Sequence, residues 1–459
     1  MTEIHPTSEA LERFVLGQLS TPEMREIARH LLTGCRQCHE ATASLWEPAK
    51  EPEDPLDLAL EATGDENVAE DYDAVLDRVF ERVIAVEALL AEQRAAGGKL
   101  FDELVQVPAE RRHLLVSNSS RFRNRMLCER LIEESHKAGF EDPYRSIELA
   151  QLATLVADRL SPENCGGGEV LDSLRARAWA HLGNAFRVTT DFASSERAFA
   201  VAESLLREGC IAPLDRARVL GLLASLRRAQ RRFAEAIQLL DRVAAIYKKL
   251  GQWSFLGRTL LQKSLAYSDA GDVEAEMRLL RQALDLIDPQ ADPRVFLTAR
   301  HNLIHALHDT GRPREAFALL FHTRPLYLKA GGRIDLLRLR WLEGLVAFGM
   351  QRIEQAEAAF REVREAFVEL ELGYDAALAS LDLAGVYAVQ RRTVDVRQVA
   401  EETLAIFQAH NSHQEAMAAL LAFCSAARLE QAGIELVREV SGFLKRVRNN
   451  PDLHFALPS

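Results

Sequence analysis

The chain has 459 residues, 48% of them hydrophobic, and carries 56 Lys and Arg against 68 Asp and Glu for a formal net charge of −12. That length exceeds what one hydrophobic core organises, so several domains or a repeat array are expected. The acidic balance argues against broad binding of nucleic acid or anionic membrane.

The opening MTEIHPTSEALERF has no basic flank before an apolar core, so no signal peptide is expected. The longest apolar run, Met417 to Ala427, falls short of the ~20 residues of a membrane helix. Six cysteines, Cys35, Cys38, Cys128, Cys165, Cys210 and Cys424, are too sparse for a disulfide framework, which places the protein in the cytoplasm.

Residues 1–47 form a head. Leu11, Phe14 and Val15 share one face of a short helix that Gly17 stops. Ser20-Thr21-Pro22-Glu23 starts a second helix with a capping hydroxyl, Pro in the first turn and Glu placed for a capping box; Ile27 and Leu31 face inward. His30 then lies on its last turn, and Cys35-x2-Cys38 follows. Zinc takes about four soft or borderline ligands in a tetrahedron, and Cys-x2-Cys lets one turn offer two thiolates to one ion. His30 is the third ligand, and the fourth is His5 or His39. Four protein ligands leave no position for water, so the Zn2+ would be structural.

An early His, two helices with Leu-Ser-x-x-Glu, then His and Cys-x2-Cys resemble the zinc-binding domain of bacterial anti-sigma factors. The resemblance implies His5, His30, Cys35 and Cys38 as ligands and a sigma factor as partner, hence control of transcription. Two features depart from that pattern. The His-to-Cys gap is four residues rather than three, and His5 stands where a Cys is usual, which weakens a redox switch based on disulfide exchange.

Residues 48–70 crowd Asp and Glu around Pro48, Pro52 and Pro55 and read as a solvated linker. Residues 71–96 turn amphipathic, with Val75, Leu76, Val79, Phe80, Val83, Ile84, Val86, Leu89 and Leu90 in one stripe. By the same resemblance this helix would help clasp a sigma factor; otherwise it packs on the helices that follow.

Residues 97–459 repeat. Ser195, Ala236, Glu276, Ala316, Ala356 and Val396 occupy equivalent places at intervals of 41, 40, 40, 40 and 40 residues. Such a period marks a helical array, each unit a helix, a turn and a second helix. Trp179, Leu182-Gly183, Phe186, Ser195, Phe199 and Ala202 resemble a tetratricopeptide repeat, and Gly311 to Ala316, Gly344 with Ala356 and Phe360, and Phe233 with Ala236 continue the theme. The expected fold is all-α: a zinc-stapled head, then a solenoid of about six to seven hairpins. An earlier hairpin is read at Phe122–His136 and Tyr144–Leu160, and a terminal cap at Glu415–Leu429 and Ile434–Val447. The glycines after Cys165 read as an inter-repeat loop, with no strand before them to make a phosphate cradle.

The repeat register sends Asn184, Arg187, Ser225, Arg228, Leu265, His301, His305, His308, Trp341, Leu345 and Phe348 to the groove that such arrays offer to protein or peptide partners. Spacing of i, i+4, i+7 puts the three histidines on one helix face, a polar, pH-sensitive strip rather than a metal site. The pairs Arg227-Arg228, Arg231-Arg232 and Arg391-Arg392 are expected to meet surface carboxylates. Signatures of hydrolases, phosphate loops and dinucleotide sites are absent, so no enzyme is expected. A regulator with an anti-sigma-like head and a partner-binding body is the first expectation; a scaffold with a purely structural zinc head is the second.

Overall fold

The computed structural model describes residues 5–15, 19, 21–32, 35, 38, 93–139, 142–165, 167–409, 414–429, 431–447 and 455. The linker at 48–70, the stripe from Val75 to Leu90, and His39 fall outside them. Contacts divide the chain into two compact units, Met1–Ala95 and Ala96–Ser459. Regular structure among the described residues is helical, and no described helix is long and apolar enough to cross a membrane.

In the first unit α1 (Ser8–Val15) and α2 (Thr21–Leu32) form a pair. The Thr7 hydroxyl accepts the Ala10 N–H at 3.2 Å, filling one of the donor positions that a helix start leaves open. Leu11, Ile27 and Cys38 are buried together, with Phe14, Leu31 and Cys35 packed around them.

The second unit is a stack of helical hairpins. After helical residues 96–106 come α3 (Ala109–Asn118), then the hairpin α4 (Arg125–Ala138) and α5 (Pro143–Arg159). A single turn, Pro162–Cys165, leads to six hairpins in register: α6 (Gly168–Val188) with α7 (Phe192–Glu208), α8 (Pro213–Ala229) with α9 (Phe233–Lys249), and α10 (Trp253–Ala270) with α11 (Val273–Leu286). Then follow α12 (Pro293–Asp309) with α13 (Pro313–Ala330), α14 (Arg333–Gly349) with α15 (Ile353–Glu369), and α16 (Gly373–Val389) with α17 (Thr393–Ala409). The hairpin α18 (Gln414–Arg428) and α19 (Ile434–Val447) completes eight among the described residues. The excess over six to seven comes from the flanking hairpins α4–α5 and α18–α19, which lie outside the 40-residue register.

The period is literal. First helices begin at Pro213, Trp253, Pro293, Arg333 and Gly373, each 40 residues after the last. The turn inside each hairpin repeats as well: Arg231, Gly271, Gly311, Gln351 and Arg391 all take positive φ. There the next residue's N–H returns to a carbonyl five positions back, as Arg312 to Leu307 and Arg352 to Ala347 do at 2.9 and 2.8 Å. This left-handed cap satisfies carbonyls that a helix end leaves unpaired.

Close packing uses the small residues. A Cβ on Gly183 would come within 2.6 Å of the Phe199 ring, and one on Gly344 within 2.6 Å of Phe360. The Ser195 hydroxyl donates to the Gly183 carbonyl at 2.7 Å, tying α7 to α6. Gly344 facing Phe360 also shows that the register holds through the fifth unit, with Glu343 paired to Arg324 and Arg340, each at 3.1 Å. Ala236, Ala316, Ala356 and Val396 are buried as the period predicts. Glu276 is buried at the same place, and desolvation pushes its carboxyl up to about 6.

Four of the six loop arginines meet carboxylates, whereas Arg231 lies over the Phe233 ring and Arg391 has no ion pair among the described residues. Arg227 pairs with Glu196 at 2.5 Å, Arg232 with Glu235 at 2.6 Å, and Arg392 with Asp395 at 2.6 Å. First helices of successive hairpins touch, as α12 with α14 and α14 with α16, while α19 turns back onto α16, where the Tyr374 hydroxyl donates to the Leu444 carbonyl. This return places α19 beside the site described next.

Candidate metal centre and partner groove

In the head, α2 carries His30 on its last turn, the segment before α1 carries His5, and Cys35 and Cys38 follow α2. Their ligand atoms all lie within 4.8 Å of one another. His5 Nδ1 stands 3.4 Å from His30 Nε2, 3.3 Å from Cys35 Sγ and 3.7 Å from Cys38 Sγ. A zinc tetrahedron with bonds of ~2.05 Å to nitrogen and ~2.3 Å to sulfur has N···N edges of ~3.3 Å and S···N edges of ~3.6 Å. The three edges from His5 are close to those one tetrahedral ion requires, and the remaining donor separations stay within 4.8 Å. Two thiols and two imidazoles are also the right donor chemistry. Burial and the neighbouring Cys35 push the Cys38 thiol above its ordinary range.

In the second unit a cavity of about 1020 Å³ opens along α12, α14 and α16. Arg294, Thr298, His301, Asn302 and His305 of α12 line it, and so do Ile334, Arg338, Trp341, Leu342 and Leu345 of α14. Each member of the second set lies 40 residues after its counterpart in the first, so one column of the repeat is written twice along the wall. Asp375 and Leu378 extend it on α16, Tyr327 joins from α13 and Lys445 from α19.

The polar groups are held in place. His301 Nδ1 is 2.7 Å from the Tyr327 hydroxyl, and burial pulls its imidazole down to about 3, so it is neutral near pH 7. Lys445 Nζ donates to His305 Nε2 at 3.3 Å, which requires the other ring nitrogen to carry the proton toward Asp309 Oδ2 at 3.0 Å. Burial opposes ionisation of Asp309, but the His305 hydrogen bond and the nearby Lys445 and His308 outweigh it and bring the carboxyl to about 2. Trp341 Nε1 donates to Asp382 Oδ2 at 2.7 Å, and its ring meets Phe367 edge to face. Burial raises the Asp382 carboxyl against that hydrogen bond and against Lys445.

Among the residues that the repeat register sends to a groove, His301, His305, Trp341 and Leu345 line this cavity. His308 does not. It sits a turn further along α12 than His305, with Nδ1 buried, without a hydrogen-bond partner among the described residues, and close behind Gly349. Its imidazole is lowered to about 4 by burial. Asn184, Arg187 and Arg228 lie on α6 and α8, away from the cavity: Arg187 donates to Asn184 at 3.0 Å and Arg228 pairs with Asp269 at 2.6 Å. Arg294, Asn302, Arg338, Tyr327 and Lys445 are additions that those columns omit. Four of the five lie within the 40-residue register, and shifting His301's neighbours by one period finds Arg338.

A smaller cavity of about 470 Å³ lies between α13, α14 and α15, walled by the exposed rings of Phe317 and Phe321. Two of its arginines are held by acids, Arg324 by Glu343 at 3.1 Å and Arg340 by Glu343 at 3.1 Å and Glu362 at 2.7 Å, while Arg352 lies over the Phe317 ring.

The tetratricopeptide repeat family model matches residues 215–288, which span α8 to α11 and the start of the next loop. No curated protein matches the chain in sequence. Among solved structures, the apo form of RapI is 10% identical with a TM-score of 0.52, covering 70% of this chain and 86% of that one. A Rap protein complexed with Competence and Sporulation Factor is 12% identical with a TM-score of 0.50, covering 71% and 88%. At these identities the likeness is one of fold, and the second unit is a tetratricopeptide-type α-solenoid.

Proposed function

We propose that this chain is a cytoplasmic regulatory protein that captures a peptide or protein segment in the groove of α12, α14 and α16. The observation that carries the reading is the cavity of about 1020 Å³ built on first helices of successive repeats. It reaches the upper end of the ~300–1,000 Å³ of small-molecule sites, and its lining sets apolar side chains such as Trp341, Leu342 and Leu345 among a larger number of polar and charged ones. Asn302 offers both a donor and an acceptor there, the pair that a peptide backbone consumes. A Rap protein that shares the fold is known as a complex with Competence and Sporulation Factor.

The head adds a structural zinc ion held by His5, His30, Cys35 and Cys38, a reading supported by the donor spacing. The ion would organise a fold whose described buried set is small; His5 and His30 fix its approach, and Cys35 and Cys38 supply the charge that neutralises it. With the head's resemblance to anti-sigma domains, the finer reading is control of a sigma factor. Its rival is an adaptor whose zinc head only shapes the N-terminal unit.

The groove is tested by capture of defined partners with full-length protein against the variants Ile334→Ala, at an exposed wall residue, and Asn302→Ala. Loss of capture with unchanged thermal unfolding supports the reading; full capture by both variants contradicts it. For the finer reading, full-length protein is titrated with the sigma factors of its own cell, and absence of binding to all of them leaves the adaptor.

A further inference from the structure

The groove reading leaves the chemistry of the occupant open, and the charges on the wall narrow it. Four cations line the cavity, Arg294, Arg333, Arg338 and Lys445, against two acids, Asp335 and Asp375. This excess stands in a chain whose net charge is −12. Asp335 is moreover turned to its own helix start, accepting the Gly332 N–H at 3.1 Å. Its contact with Arg338 is a long 3.8 Å, and Arg333 reaches only Glu369, at 3.7 Å. Arg294 has no carboxylate ion-pair partner among the described residues; Lys445 has none at ion-pair distance there, though it donates to His305 and lies in the field of Asp309 and Asp382. The smaller cavity shows what the chain does with arginines it needs for structure: Arg340 there has two acids, at 3.1 and 2.7 Å.

Resting on the groove reading, we propose that the occupant is an acidic peptide, with carboxylates at Arg294 and Arg338 and an apolar side chain against Trp341, Leu342 and Leu345. A guanidinium with no internal carboxylate partner, as at Arg294, or with only a long one, as at Arg338, recognises carboxylates with little rearrangement, in a forked geometry that lysine lacks. Between the two ends, Asn302 meets the backbone. A nucleotide shares the negative charge, but the leucines of the wall match the side chains of a peptide, and a phosphate chain leaves them uncovered.

The test uses full-length protein and three pools of fluorescein-labelled octapeptides with equal Leu and Phe content. The remaining positions carry Asp and Glu, Lys and Arg, or Ser and Asn, and binding is followed by anisotropy at two salt concentrations. The acidic pool is expected to bind about tenfold more tightly than the basic pool, with the gap shrinking in salt. Arg294→Glu with Arg338→Glu is expected to reverse that order, and the milder Arg294→Gln with Arg338→Gln to erase it, both with unchanged helical content. Equal binding of the three pools, or an unchanged order in the reversed variant, overturns the acidic occupant and leaves the groove reading standing. Full displacement of the acidic pool by inorganic pyrophosphate or single-stranded oligonucleotide also overturns it. Binding of no pool removes the groove reading with it.

Discussion

In Met1–Ala95 the buried apolar set among the described residues is Leu11, Ile27 and Cys38, whereas in Ala96–Ser459 a single cluster runs from Leu261 to Val447. Ordering a residue costs about 1–2 kcal/mol of backbone entropy, and a fully buried aliphatic side chain returns about 1.5–3 kcal/mol. The solenoid meets that cost by repeating the same burial every 40 residues. Among its described residues the head has few such side chains and instead gathers four groups of metal-binding type within 4.8 Å. Stability in the one is spread over many contacts; in the other, on the proposed zinc reading, it would be concentrated at a point. Perturbations should therefore separate the two units cleanly.

The largest effect is expected at the metal. Apparent binding free energies of structural zinc reach about 10–16 kcal/mol, and much of that is folding energy. Cys35→Ser with Cys38→Ser should remove one equivalent of zinc by elemental analysis and abolish hydrogen-exchange protection of α1 and α2, while α6 to α17 keep theirs. Retained zinc or retained protection breaks the contrast. His5→Ala should do the same, and His39→Ala should not; the opposite outcome assigns the fourth ligand to His39.

In the solenoid, Phe360→Ala is expected to cost about 3–5 kcal/mol, through the cavity left behind Gly344. Gly344→Ala, whose Cβ would meet that ring at 2.6 Å, should cost about 1–3 kcal/mol by overpacking. Both are read from denaturant unfolding, and neither should change zinc content.

Acid should loosen the solenoid next. His181, His301 and His308 have folded values lowered to about 3, 3 and 4, chiefly by burial. A lowered histidine is neutral when folded and protonated when unfolded, so the unfolded state holds the extra proton and stability falls as pH drops from about 6.5. Each contributes at most about 1.4 kcal/mol per pH unit until its folded value is reached. Glu276, raised to about 6, acts in the opposite sense between its unfolded value and 6. The net is a loss of stability from pH 6.5 to 4.5, checked by thermal unfolding across that range. His301→Gln should flatten the slope by up to one histidine's share.

The smallest effect is at the turns. Gly311, at φ 69°, should cost about 1–2 kcal/mol when changed to Ala, because a Cβ is disfavoured in the left-handed region. Arg231→Gly, at φ 60°, should be neutral or slightly stabilising in the same assay.

Much of the solenoid was legible because a stack needs the same small and large residues at the same places. Ser195, Ala236, Ala316, Ala356 and Val396 carry that requirement in plain view. The clustering of Cys35, Cys38 and His30, the proposed zinc ligands, was legible from Cys-x2-Cys and a helix-borne His, but the choice of His5 came from a resemblance, since no spacing rule ties a residue to partners 25 to 33 positions away. The groove was half legible. His301 and His305 were found as a helix face, and His308 was grouped with them because a periodicity gives direction and not distance along the axis. Arg294, Asn302 and Arg338 sit in columns beside the one read, visible only when the wall is known. Lys445 was beyond reach, brought to His305 across 140 residues by a hairpin outside the period.

Hydrogen exchange of full-length protein with and without the acidic octapeptide pool tests the groove of α12, α14 and α16 most directly. Slowed exchange confined to residues 294–309 and 333–349, with α1 and α2 unchanged, is the predicted result. Unchanged exchange in those two helices at saturating peptide, or protection centred on α13 and α15 around Phe317 and Phe321, would contradict it.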